Sequence, residues 1–297
     1  VRGAGIHHEW PLYRPPSEAD SLIFQATLGC THNRCAFCVN YEGKRYRPRK
    51  AAELEAEIDW AGRHLPGTRR VFLADGDAFG LPARRLLPIL DRLRARLPRL
   101  ERVTAYAGPG NLRNKSEADL RALRAAGLEM LYFGLESGDD QVLARVGKGY
   151  ASAHMIEVCQ RLQAAGFALS VTVILGLAGP EGSDRHAQAT ARALDAIRPR
   201  FAAALTLMLP HGPEAYAGRI QDPTWRELSP PEILVECRRL LDTMQADGVT
   251  FRSNHASNYV ALAGELQQDK PRLLGQIDAV LGDPAGRGIR PDWLRAL

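Results

Sequence analysis

No uninterrupted apolar run in the 297 residues approaches the roughly 20 needed to cross a bilayer, so a membrane-embedded chain is excluded. Val1–Trp10 shows no basic segment leading into an apolar core, so no secretory leader is read there. Cysteine is scarce: five residues, an odd number, which suits a cytoplasmic protein better than a disulfide framework. Net charge is weak, with 39 Lys and Arg against 34 Asp and Glu. Arginines alternate with acids, as in Asp91–Arg102, the pattern of a solvated helix face rather than a nucleic-acid footprint. What remains is ordinary globular composition, 45% hydrophobic and 25% charged, with no internal linker long enough to separate domains.

The apolar pattern alternates between short β-rich runs and longer helical stretches. Strands are expected at Ser21–Leu28, Arg70–Ala74, Glu101–Ala107, Glu129–Leu135, Phe167–Leu175 and Phe201–Leu209. Helices are expected at Lys50–Arg63, Pro82–Leu97, Ser116–Ala126, Asp139–Val146, Ser152–Ala165, Ser183–Ile197 and Pro231–Ala246. Ser116 with Asp119 reads as a capping box, and Gly127 as a helix stop. Six strand–helix units predict an α/β fold with a parallel sheet, either a partial barrel or a doubly wound sheet. The tail from Gln267 reads as short helices closing one side.

Three of the five cysteines, Cys30, Cys35 and Cys38, stand within nine residues behind the first strand. Three thiolates so placed can wrap one soft metal centre. A 4Fe–4S cluster with one open iron and a structural zinc are both readings of the spacing, with coincidence as the third. Cys159 and Cys237 sit singly in apolar helical patterns and read as small buried hydrophobes. The carboxyl ends of parallel strands are where such folds place reactive sites.

With this loop in this position the chain resembles the radical S-adenosylmethionine superfamily. That family holds a 4Fe–4S cluster on three cysteines after strand one of a partial (β/α)6 TIM-like barrel. Phe37 occupies the aromatic position before the third cysteine, and the second gap of two matches the family. The first gap is four where three is usual, so the loop is expected to bulge and still bind. The resemblance implies that Asp75-Gly76-Asp77 meets the cofactor's amino group, where two glycines and a glutamate are more usual. It further implies that Glu136 and Ser137, within Gly134–Gly138, contact the ribose and amino-acid portion. By the same resemblance Lys148 stands where oxygen-independent coproporphyrinogen oxidases carry a basic residue for the carboxylate. The resemblance also implies that Thr172 is turned toward the ribose and that Ile174 and Gly176 belong to the adenine-contacting segment.

The implied organisation is an N-terminal extension (1–20), a barrel core (21–250) and a short C-terminal helical extension (251–297) that closes it. The implied cofactors are one 4Fe–4S cluster and S-adenosylmethionine, the implied partners a small-molecule substrate and an electron donor such as flavodoxin or ferredoxin. A reduced cluster would cleave S-adenosylmethionine to a 5′-deoxyadenosyl radical that abstracts hydrogen from the substrate. Tyr106, Arg252, His255 and Asn258 are the substrate-side candidates; for the last three the competing reading is a polar surface loop. His211 follows strand six, and His7 and His8 precede strand one. The sequence shows no second cysteine cluster or RNA-binding appendage, so enzymes built on these fit poorly; no cobalamin-binding domain lies within these residues, which leaves open one on a preceding segment or another chain. The rival of another class is a haem chaperone of the same fold, with His211 or His255 as axial ligand.

Overall fold

The computed structural model describes residues 5–283 and 286–296; residues 1–4 of the expected N-terminal extension lie outside the described residues. From Leu22 onward, short apolar runs alternate with amphipathic stretches. The first half comprises β1 (Leu22–Gln25), β2 (Thr27–Leu28), β3 (Arg47–Pro48), α1 (Ala51–His64), β4 (Arg70–Ala74), α2 (Ala83–Arg96), β5 (Arg102–Ala107) and α3 (Glu117–Ala125). It continues with β6 (Leu128–Glu136), α4 (Asp140–Arg145), α5 (Ser152–Ala164), β7 (Ala168–Leu175), α6 (Gly179–Ile197), β8 (Phe201–Thr206), α7 (Pro213–Arg219) and α8 (Pro230–Thr243). The last elements are β9 (Val249–Ser253), β10 (Leu262–Leu266) and α9 (Lys270–Leu281). The main sheet has eight strands in the order β1-β4-β5-β6-β7-β8-β9-β10, the expected mostly parallel α/β fold. No helix among the described residues is long and apolar enough to cross a membrane.

One compact unit comprises Val1–Asn33, Cys38–Phe133 and Gln160–Leu169. Its strands β1, β4, β5 and β6 pair in parallel. Because side chains alternate across a strand, Val71, Leu73, Val103 and Leu131 share one fully buried face. The α2 stripe Leu86, Leu90 and Leu93 is equally buried, each leucine contributing roughly 1.5–3 kcal/mol. On the other face Phe72, Tyr106 and Tyr132 meet edge to face at centroid separations of 5.0–6.1 Å. The expected capping box forms: Ser116 and Asp119 bond reciprocally at the start of α3.

The expected strand Ser21–Leu28 is broken. Ala26 still donates to the Ala74 carbonyl, but its own carbonyl accepts from Arg49 N–H. Thr27–Leu28 turns away to pair antiparallel with Arg47–Pro48.

The second unit comprises Arg34–Phe37, Gly134–Cys159 and Ser170–Leu297. Here β7, β8 and β9 pair in parallel and β10 runs antiparallel to β9. Arg252, for which a polar surface loop is the competing reading, lies instead in β9, where buried and half-buried residues alternate. Residue 250, the expected end of the barrel core, falls inside that strand. The Gly/Pro-rich stretch before α8 contains α7, its proline at the first helical turn. The chain's last part is not helical alone, since β10 precedes α9.

Candidate functional site

In the first unit, chemistry gathers behind β2 and β4. Gly29 takes φ +70, and a Cβ on it would lie 2.9 Å from the Lys44 carbonyl oxygen. Only glycine suits this turn, which delivers Cys30. The Gly29 N–H donates to Asp75 Oδ2 at 3.1 Å. All five cysteines are thiols, and Cys30, Cys35 and Cys38 are half-buried. Inside the four-residue gap Asn33 adopts φ 41, a left-handed conformation that asparagine tolerates. Its amide donates to the carbonyls of Tyr41 (3.0 Å) and Lys44 (3.3 Å), closing the loop on itself.

Asp75 and Asp77 follow β4, with 0% and 2% exposure. Asp75 Oδ2 lies 3.4 Å from Lys44 Nζ. Asp77 Oδ2 accepts from the Thr31 hydroxyl. The Oδ1 of each carboxylate is buried with no hydrogen-bond partner. Such unmet acceptors cost about 1–3 kcal/mol apiece, and burial raises both carboxyl pKa values above the ordinary range. A Cβ on Gly76 would come 2.5 Å from the Tyr41 ring, so no side chain fits between the two acids. Tyr41, Lys44 and Thr31 were not foreseen as part of this arrangement.

Lys115 supports the same turn. Its ammonium donates to the Phe79 carbonyl (2.7 Å) and the Asn111 carbonyl (3.1 Å) and stands 4.6 Å from the Phe79 ring centroid. Burial pulls its pKa down from 10.5 to about 8. Between about pH 8 and 10.5 the unfolded chain therefore binds the proton that the folded chain has released, and stability rises with pH. The unfolding midpoint of the native protein should gain on that of Lys115→Met across this window. A constant difference between the two would show that Lys115 does not titrate early.

In the second unit, Cys35 lies beside Ala36, whose N–H donates to the Val146 carbonyl at 2.9 Å. Phe37 packs on the cluster formed by Val142, Val146, Leu177, Tyr216 and Trp225. At the end of β6, Glu136 has φ +64, unusual for a residue with a side chain. Its carboxylate holds Lys148 Nζ at 2.9 Å. A Cβ on Gly134 would collide with Glu136 Oε1 and lie 3.3 Å from that ammonium, so the glycine leaves room for the pair. Ser137, expected at the cofactor, has its hydroxyl 2.8 Å from His186 Nδ1 and accepts from Asp139 N–H. These two bonds hold the turn.

Thr172 and Ile174 are half-buried and two apart on β7, so they share a face. Gly176 takes φ +91 beyond them. Its N–H donates to Glu236 Oε1 at 2.7 Å, and Ser183 donates its hydroxyl to the other carboxylate oxygen. His186 Nε2 lies 3.1 Å from the Ile174 carbonyl and 3.7 Å from Glu236 Oε1. Glu236 and His186, each 1% exposed, were missed. The signal was present: an acid inside the apolar stripe of α8 between Ile233 and Leu240, and a histidine four residues from Gly182 and Thr190 on α6. Glu236→Ala leaves Gly176 N–H and the Ser183 hydroxyl unsatisfied and should lower stability by about 2–4 kcal/mol in denaturant unfolding. Glu236→Gln should recover most of that loss; an alanine variant of native stability would refute the brace.

The substrate-side candidates separate. Tyr106 on β5 meets Phe72 edge to face, and burial raises its pKa. Asn258 uses each end of its amide once within the fold: Oδ1 accepts from the Thr206 hydroxyl at 2.9 Å and Nδ2 donates to the Ala204 carbonyl at 2.9 Å. The loop around it is held by Arg290, whose Nη1 donates to the carbonyls of His255, Ala256 and Asn258. His255 Nδ1 meets the Ser257 hydroxyl at 2.9 Å, and burial lowers its pKa. Arg252 lies on β9, its guanidinium 4.4 Å from the Phe201 ring centroid. His211 is exposed. His8 Nε2 lies 3.1 Å from the Ile23 carbonyl of β1, while His7 donates its main-chain N–H to Glu57 Oε1 and accepts at its carbonyl from Arg49.

Among the described residues no three His, Cys, Asp or Glu side chains converge as on a single metal ion. A cluster instead takes one thiolate per iron. The donor chemistry suits such a group: three thiols in nine residues, with two buried, unpartnered carboxylate oxygens in the unit that contributes Cys30 and Cys38.

Comparison with known proteins gives the same direction. The family model described as the radical SAM superfamily matches residues 24–194. Among curated proteins the chain is similar to 4′-phospho-dehydrooxetanocin synthase of Priestia megaterium, 26% identical over 172 residues, which are 52% of this chain and 23% of that one. Among solved structures it is similar to TsrM of Kitasatospora setae, a radical S-adenosylmethionine methyltransferase with cobalamin and a [4Fe–4S] cluster bound. That match has a TM-score of 0.52 and 22% identity over 64% of this chain and 37% of the other. Coproporphyrinogen III oxidase of Escherichia coli, described as a radical SAM enzyme, matches with a TM-score of 0.57 and 16% identity. That match covers 91% of this chain and 60% of the oxidase. This chain thus spans less than a quarter of the curated relative's length.

Proposed function

We propose, given that this chain belongs to the radical S-adenosylmethionine superfamily, that it binds one 4Fe–4S cluster through Cys30, Cys35 and Cys38 and acts on a small molecule. When bound, the cluster and S-adenosylmethionine supply one-electron cleavage to a 5′-deoxyadenosyl radical that takes hydrogen from the substrate. The observation that carries this reading is the pair of buried carboxylate oxygens, Asp75 Oδ1 and Asp77 Oδ1, that have no hydrogen-bond partner within bonding distance among the described residues. An ammonium group is the kind of donor such an acceptor takes, and charge-assisted bonds to a buried carboxylate are the strong ones.

In this reading Glu136 and Lys148 hold each other in place to receive the ribose and amino-acid portion, and the Glu236–His186 brace fixes the main chain at Ile174 and Gly176 against the adenine. Thr172 presents its hydroxyl to the ribose. Tyr106, Arg252 and His255 remain on the substrate side. The residues 1–20, 21–250 and 251–297 act as extension, core and closing segment, and a flavodoxin or ferredoxin is the electron donor. Anaerobic reconstitution with iron and sulfide, then dithionite and S-adenosylmethionine, should yield 5′-deoxyadenosine by chromatography. A cluster that forms but yields none with dithionite or a flavodoxin would overturn the enzymatic reading in favour of a binding protein.

A further inference from the structure

Arg252 stands on a row that the strand registers define. Thr172 of β7 pairs with Ala203 of β8, Ala203 with Arg252 of β9, and Arg252 with Ala263 of β10. The four side chains therefore share one face of the sheet. Its two immediate neighbours across the strands are alanines, small residues on the same face. Along β8, two residues from Ala203, Phe201 lies under the guanidinium at 4.4 Å. Among the described residues Arg252 makes no ion pair and its guanidinium no hydrogen bond. Glu265, the carboxylate closest by register, sits opposite Thr250 and does not pair with it.

A guanidinium held by cation–π attraction to a ring keeps its planar fork of N–H donors available to other acceptors. That is the presentation needed for two parallel bonds to a carboxylate or phosphate. Half-buried, its donors unmet, flanked by small residues and level with the Thr172 hydroxyl, Arg252 is a prepared anion receptor.

Resting on the reading above, we infer that the substrate carries a carboxylate or phosphate group and that Arg252, stacked on Phe201, receives it. The test uses the reconstituted protein and needs no variant. Phenylglyoxal modification of Arg252 is followed by peptide mapping with inorganic phosphate, acetate or chloride at equal ionic strength, with Arg287 as the exposed reference. Phosphate or acetate should slow modification of Arg252 about ten-fold at ten times its dissociation constant, the mass-action value, and leave Arg287 unaffected. The more protective of the two names the group. No protection, or equal protection of both arginines, overturns the anion site. Deoxyadenosine release is measured on the same sample. Release without protection removes the anion site alone. Protection without release removes the radical reading and, with it, the claim that the anion belongs to a substrate.

Discussion

Protein in which Cys30, Cys35 and Cys38 are all replaced by alanine takes up no brown colour with iron and sulfide and releases no 5′-deoxyadenosine. The thiolate is the metal ligand, and these three are the cysteines with solvent access. The other two cannot substitute. Cys159 and Cys237 are 0% and 2% exposed, and burial pushes both thiols up, Cys237 to about 12. The double variant Cys159→Ala and Cys237→Ala should therefore retain about four irons per chain, the content of one 4Fe–4S cluster. Iron analysis of both variants decides the matter. Iron retained by the triple variant would place the metal elsewhere.

The strand–helix alternation was legible because each run carries its own period. The helix α2 buries Leu86, Leu90 and Leu93 at helical spacing, and β4 shows its apolar run directly. The cysteine loop stands out in the sequence by its spacing, and inside its four-residue gap Asn33 takes a left-handed conformation. What escaped was set by tertiary pairing. Phe251–Ser253 lacks a long apolar run because β9 alternates buried with half-buried residues. Thr27–Leu28 leaves the first strand only because Arg47–Pro48 offers a partner twenty residues away. Glu236 and His186 were hidden by the same cause. A buried acid is intelligible only once Gly176 N–H and Ser183 are seen against it. Asn258 shows the converse, since a polar side chain near strand ends looked available until Thr206 and Ala204 were found using both ends of its amide.

Asp77→Asn should move stability and cofactor binding in opposite directions. The folded protein holds an Asp77 carboxylate 2% exposed, one oxygen bonded to Thr31 and the other unmet. Burying a charge without full compensation is more costly than burying a neutral amide, and the raised carboxyl pKa records that cost. Asparagine keeps an oxygen for the Thr31 hydroxyl and removes the charge. The unfolding midpoint should hold or rise, by the equivalent of about 1 kcal/mol. S-adenosylmethionine binding to the reconstituted protein should instead fall by about thirty-fold or more, the loss expected when one partner of a buried charge pair is truncated, about 2–5 kcal/mol. Equilibrium dialysis and thermal unfolding on one preparation give both numbers. If binding and stability fall together, Asp77 holds the turn for structural reasons and the ammonium is received elsewhere. If binding is unchanged and stability rises, the unmet oxygen is a defect of the fold rather than a site.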